Sequence, residues 1–144
     1  MAADGSATIA ELRTEVQQFV DDRDWNQFHA PKNLAMALAI EAAELMEHFQ
    51  WIGVDESRAL VDDSARVQAI GEEVADVFCY TLAMANALGL DLTETFRAKM
   101  QKNARKYPVE EIRGRWGHAD PNAASSHSAP TDASPTNDKA KDDE

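Results

Sequence analysis

"VQAIGEEVADVFCYTLAMANAL", residues 67–88, is the stretch whose reading decides the fold. Val67, Ile70, Val74, Val77, Thr81, Met84 and Leu88 step along it by three and four residues. That spacing lines one side of an α-helix as a heptad-like seam. The helix is expected to begin near Ser64 and to stop at Gly89, because glycine adopts the backbone that ends helices. Glu73 and Asp76 lie beside the seam. Charged groups next to an apolar interface lose hydration, so they need compensation.

Outward from this helix the pattern stays helical. Thr8 and Glu11 form a capping box, followed by the stripe Leu12, Val16, Phe19 and Val20. "DDRDWNQFHAPKN", residues 21–33, reads as a loop closed by Pro31, with Asn33 as the cap of a second helix over about 33–51 that ends near Gly53. A short helical turn is expected over 55–61. Asp91 and Glu94 cap a further helix with the stripe Leu92, Phe96, Met100, Asn103 and Tyr107, and Pro108 stops it. No segment sustains strand alternation. The expected fold is all-α, a bundle of four to five helices.

The chain has 144 residues, 44% apolar and 28% charged, as in one soluble globular domain. A net charge of −12 argues against DNA or RNA as a partner, since affinity for polyanions comes from Lys and Arg. The longest apolar run, "LAMALAI" at 34–40, is too short to span a bilayer, so no membrane association is expected. The N-terminus shows no secretory signal, and the single cysteine, Cys79, reads as packing in a reducing, cytoplasmic setting. Composition changes at residue 119. From there to 144, Ala, Ser, Pro, Thr and Asp dominate, and such a segment cannot offset its ordering entropy. The expected organisation is a helical domain over 1–118 and a disordered acidic low-complexity tail over 119–144.

"EAAELMEHFQW", residues 41–51, carries a second acidic pair. Glu41 and Glu44 are three apart and share a helix face, and Glu73 and Asp76 repeat that spacing. No basic residue occurs between 33 and 57 or between 67 and 89 to compensate them. A divalent cation would. An all-carboxylate set favours Mg²⁺, with Mn²⁺ the alternative, over zinc. A di-iron bundle would need Glu-x-x-His on two helices, whereas His48 is four after Glu44 and one after Glu47. The plainer reading is that each acidic pair is a solvated helix face.

The motif E-x-x-E, a 28-residue gap and E-x-x-D, formed by Glu41, Glu44, Glu73 and Asp76, resembles the signature of the MazG-like all-α nucleoside triphosphate pyrophosphohydrolases. Together with "RDWNQFHAPKNLAMAL", "EEVADVFCY" and "KNARKYP", it is similar to the dCTP pyrophosphatase branch over about residues 9–110. The resemblance implies Mg²⁺-dependent cleavage between the α- and β-phosphates of a deoxynucleoside triphosphate. It also implies a homotetramer, a dimer of dimers with shared sites.

Residue roles follow as expectations. Glu41, Glu44, Glu73 and Asp76 would hold metal, and Glu44 would orient or deprotonate water, with Glu47 and Glu72 as rivals. Lys99 and Lys102 are three apart and suit phosphate, although with Arg105 and Lys106 they equally suit a helix C-terminus. Asn103 interrupts an apolar stripe and reads as a substrate contact, and the resemblance places Tyr107 near the phosphates. Trp25, Trp51 and Tyr80 are the candidate stacking platforms for a base, with Phe28, His29 and Asn33 flanking them and His48 a supporting group or a surface histidine. The function expected is pool cleaning of dCTP or a modified dCTP. The alternatives are dUTP or broad specificity on the same fold, or a helical interaction module without catalysis.

Overall fold

A computed structural model of the chain describes residues 5–114. Helix α1 (Ile9–Asp21) starts at the expected capping box: the Glu11 amide donates to the Thr8 hydroxyl (3.2 Å) and the Thr8 amide donates to the Glu11 carboxylate (2.7 Å). Helix α2 (Pro31–Glu47) begins earlier than residue 33, with Ala30 as its cap. Pro31 takes the first helical position, where a missing N–H leaves nothing unsatisfied and the ring presets φ. Asn33 is therefore inside α2, and its side-chain amide donates back to the Phe28 carbonyl (3.0 Å). At the other end α2 stops at Glu47, so Trp51 lies in the following turn and not on the helix.

Helix α3 (Val54–Ala59) runs into a 3₁₀ turn, Leu60–Asp62, whose Leu60 is buried. Helix α4 (Ser64–Leu88) is capped by Asp63, which accepts from the Arg66 amide (3.1 Å). It ends, as expected, at Gly89, whose φ of +62° is strained for any residue with a Cβ. Helix α5 (Leu92–Lys106) starts where the Glu94 amide donates to Asp91 (2.8 Å). Helix α6 (Val109–Ile112) follows Pro108. No strand occurs among the described residues, so the all-α reading holds, with α3 and α6 as short additions to the four main helices.

The chain divides into two compact units, Met1–Lys99 and Met100–Glu144. In the first, α2 packs along α4, and α1 packs on α4 as well. Val20, Leu34, Leu60, Leu82, Ala83 and Ala85 are buried there. Arg13 locks α1 to the end of α4. Its Nε donates to Asn86 Oδ1 (2.8 Å) and its terminal nitrogen to the Leu90 carbonyl (2.8 Å), while Asn86 Nδ2 donates to the Arg13 carbonyl (3.0 Å). A cation at a helix C-terminus also complements the helix dipole. In the second unit the described residues comprise the end of α5 and α6.

The expected seam on α4 is only half covered. Ile70, Val77, Thr81 and Met84 are half-buried, but Val67, Val74 and Leu88 are exposed, and the deepest α4 residues are Leu82, Ala83 and Ala85. The reason is that α4 is apolar on more than one side, so α1 and α2 cover one side and leave the other. The α5 stripe behaves similarly, with Phe96 and Met100 exposed. No helix among the described residues is long and apolar enough to cross a membrane. The low-complexity tail, 119–144, lies outside the described residues.

Candidate metal centre

Packing of α2 along α4 brings the carboxylates of Glu41, Glu73 and Asp76 together. Each offers one oxygen, and these oxygens lie within 4.8 Å of one another. The i, i+3 spacing aims Glu73 and Asp76 from one face of α4, and Glu41 meets them from α2. Glu41 and Glu73 are half-buried, and Asp76 is exposed. Burial raises the Glu41 carboxyl above the usual glutamate value, and the neighbouring charges of Glu44, Asp76 and Glu73 push it the same way. Among the described residues the ion pairs are Arg58–Asp55 and Arg66–Glu56, so neither neutralises this cluster.

The donor chemistry fits a hard divalent cation. Three carboxylate oxygens within 4.8 Å of one another are near enough for flexible side chains to draw them together on one such ion. Zinc and iron sites draw on cysteine or histidine, and neither residue type belongs to this trio.

Glu44, expected as a fourth ligand, lies next to the trio. It lines an open cleft of about 550 Å³ with Glu47, His48 and Glu73. Glu44 and Glu47 thus both line open space beside the Glu73 carboxylate. Glu72 stays exposed outside that lining and accepts from Gln68 Nε2 (3.3 Å). Tyr80, one turn after Asp76, is close enough for Glu41 and Asp76 to reinforce the effect of burial in raising its phenol. The Cys79 thiol is raised by burial first and then by Asp76 and Glu41, which disfavours the reactive thiolate.

The expected base-binding residues are dispersed. Trp51 is 88% exposed. Trp25 meets the Phe19 ring edge-on at 5.9 Å and 74°, and the Arg23 guanidinium lies 3.5 Å from the Phe19 centroid. His29 lines a separate hollow of about 300 Å³ with Gln17, Asn26 and Asn86. Asn33 commits its amide to the Phe28 carbonyl. None of these four lines the acidic cleft. Lys99 is exposed at the end of the first unit. In the second unit Lys102 is exposed, Asn103 is half-buried, and the Asn103 carbonyl accepts from the Tyr107 amide (2.8 Å). Tyr107 is half-buried with the Lys106 ammonium 5.2 Å from its ring.

Periodicity did not reveal Arg66, which touches the His48 carbonyl (3.5 Å) and the Glu56 carboxylate (3.9 Å). A signal was available. Arg66 is seven residues before Glu73, two helical turns, and so on the same side of α4.

The MazG-like family matches residues 36–117. dCTP pyrophosphatase 1 of Bos taurus is 37% identical over 107 residues, which cover 74% of this chain and 63% of that protein. dCTP pyrophosphatase 1 of Homo sapiens is 37% identical over 106 residues, covering 74% and 62%. The match therefore spans less than two thirds of the length of these curated relatives. A crystal structure of a pyrophosphatase from Archaeoglobus fulgidus superposes with a TM-score of 0.65 at 36% identity, over 75% of this chain and 99% of that one.

Proposed function

The chain belongs to the MazG-like family, and from that premise we propose that it is a Mg²⁺-dependent nucleoside triphosphate pyrophosphohydrolase. Its reaction converts a deoxynucleoside triphosphate and water into the monophosphate and pyrophosphate. The observation that carries the reading is the convergence of Glu41, Glu73 and Asp76 from two helices, with no ion-pair partner among the described residues. Similarity to dCTP pyrophosphatases favours dCTP, or a modified dCTP, as substrate.

Glu41, Glu73 and Asp76 would hold the cation, with Glu44 at the edge of the same set. Bound there, Mg²⁺ supplies neutralisation of the triphosphate charge and a more acidic water. Glu44 would orient an attacking water and take its proton as the water oxygen bonds to phosphorus and the α–β bridging bond breaks, pyrophosphate and the monophosphate parting. Glu47 lines the same cleft and is the rival base. Glu72 supports the role less, being held by Gln68 outside the cleft lining. Tyr80 flanks the trio, and Trp51 projects a free indole face for a base. Lys99, Lys102, Asn103 and Tyr107 supply cationic and polar groups along α5 and just beyond it for phosphate. Trp25, His29 and Asn33 do not line the acidic cleft of their own chain, so they would meet the substrate only across a subunit boundary.

Self-association belongs to the same proposal. Phe28, Met36, Ile40, Val74, Phe96 and Met100 are all exposed in one chain, and α2 and α4 are apolar on several sides. A dimer of dimers would cover such faces and let one chain's α5 and Trp51 serve another's carboxylates. Cys79, half-buried and free, suits a reducing cytoplasm.

The test is pyrophosphate release from a panel of deoxynucleoside triphosphates with Mg²⁺ and again with EDTA. Turnover of dCTP with Mg²⁺ alone upholds the proposal, and dUTP or uniform turnover corrects the base preference. No turnover of any nucleotide leaves a helical interaction module as the better reading.

A further inference from the structure

Arg66 stands in the first turn of α4, and its side chain is 39% exposed. Its guanidinium approaches the carbonyl of His48, the C-cap of α2, at 3.5 Å and Glu56 in the first turn of α3 at 3.9 Å. Its own amide donates to Asp63 (3.1 Å), so the residue is anchored at its base. One side chain therefore joins the end of α2, the start of α3 and the start of α4. The last carbonyls of α2 carry partial negative charge, which a cation offsets.

The location matters as much as the contacts. His48, whose carbonyl Arg66 meets, lines the acidic cleft with Glu44, Glu47 and Glu73. Like charges contributed by two helices push those helices apart. Apolar contact between α2 and α4 resists this along their length. At the cleft end the Arg66 fork is a polar tie across the same interface, and a planar fork holds orientation better than a single ammonium.

We propose that Arg66 is a positioning residue that fixes α2 against α4 at the acidic cleft and so sets how tightly Glu41, Glu73 and Asp76 take a divalent cation. The inference rests on the metal reading above, and its test separates the two. Mn²⁺ binding is followed by electron paramagnetic resonance of the free ion for wild type, Arg66→Met, Arg66→Lys and Glu56→Gln. The melting temperature of each protein is taken in EDTA.

Wild type is expected to bind Mn²⁺, and Arg66→Met to bind it about tenfold more weakly, the low end for groups that orient metal ligands indirectly. Arg66→Lys keeps the charge without the fork and is expected to fall between them, and Glu56→Gln to lie near wild type because the His48 contact survives. A lower melting temperature in EDTA with an unchanged Mn²⁺ Kd would make Arg66 merely structural and overturn the inference. If Arg66→Met does not fold, Arg66→Lys decides: a Kd about threefold weaker upholds positioning by the fork and an unchanged Kd overturns it. If wild type binds no Mn²⁺, the metal reading itself falls and takes this inference with it.

Discussion

Replacing Glu41 by Gln should make the metal-free protein more stable while weakening its response to metal. Glu41 lies within 4.8 Å of two other carboxylate oxygens, those of Glu73 and Asp76. Two unit charges at that distance in water repel by about 0.9 kcal/mol, and the water value applies because the trio is half-exposed. Two such pairs, screened at about 0.1 M salt, leave roughly 1 kcal/mol to be relieved by the neutral amide. For a domain of this size that raises Tm by about 3–6 °C. Saturating Mg²⁺ reverses the order: at one hundred times Kd, a ligand stabilises the native state by about 2.7 kcal/mol, and the variant lacks one of the ligands. The assay is thermal unfolding at pH 7.5 in EDTA and in excess Mg²⁺, at low salt. If Glu41→Gln is less stable than wild type in EDTA, or gains as much from Mg²⁺, the charges are not held together as the geometry requires.

Other perturbations probe other links. Asp76→Asn should lower turnover at least about 100-fold and, by the same relief of repulsion, raise the metal-free melting temperature by a few degrees; near-normal turnover would take Asp76 out of the site. Trp51→Ala should raise KM more than it lowers kcat, because an indole that is 88% exposed contributes to binding a base and not to the fold; an unchanged KM would remove it from the substrate site. Arg13→Ala should cost about 2 kcal/mol in stability, since it breaks the bonds to Asn86 Oδ1 and the Leu90 carbonyl, while the bond from Asn86 Nδ2 to the backbone carbonyl at position 13 survives. Urea denaturation checks this, and a loss under about 0.5 kcal/mol would show that α1 is held by apolar contact alone.

The fold was legible because its signals are local. The Thr8 capping box, the Asp91 cap and the αL Gly89 each need only a few neighbouring residues, and all three appear where expected. The start of α2 misled because Pro31 and Asn33 both carry start signals, and the proline prevailed since its ring already has helical φ. Seam residues of α4 were identifiable as apolar, but not which would be buried, because an apolar repeat does not say which neighbour covers it. Within the site, Glu73 and Asp76 are neighbours by i, i+3 spacing, which helix geometry converts directly into proximity, whereas Glu41 joins them only because α2 packs along α4. Glu44 shares that spacing yet sits beside the trio, since a helix face is wider than a metal site. The Arg13–Asn86 lock was invisible because it depends on tertiary approach across 73 residues; the side of α4 that carries Arg66 was readable from its spacing to Glu73, but its contact with the His48 carbonyl, 18 residues away, was not.

The most direct test is where a divalent cation binds. Crystals grown with Mn²⁺ and a non-hydrolysable dCTP analogue, measured at a wavelength where manganese scatters anomalously, locate it without reference to activity. An anomalous peak bonded to carboxylate oxygens of Glu41, Glu73 and Asp76 and to phosphate oxygens of the analogue is the expected result. A nucleotide bound without manganese at those residues, or manganese held elsewhere, would contradict it.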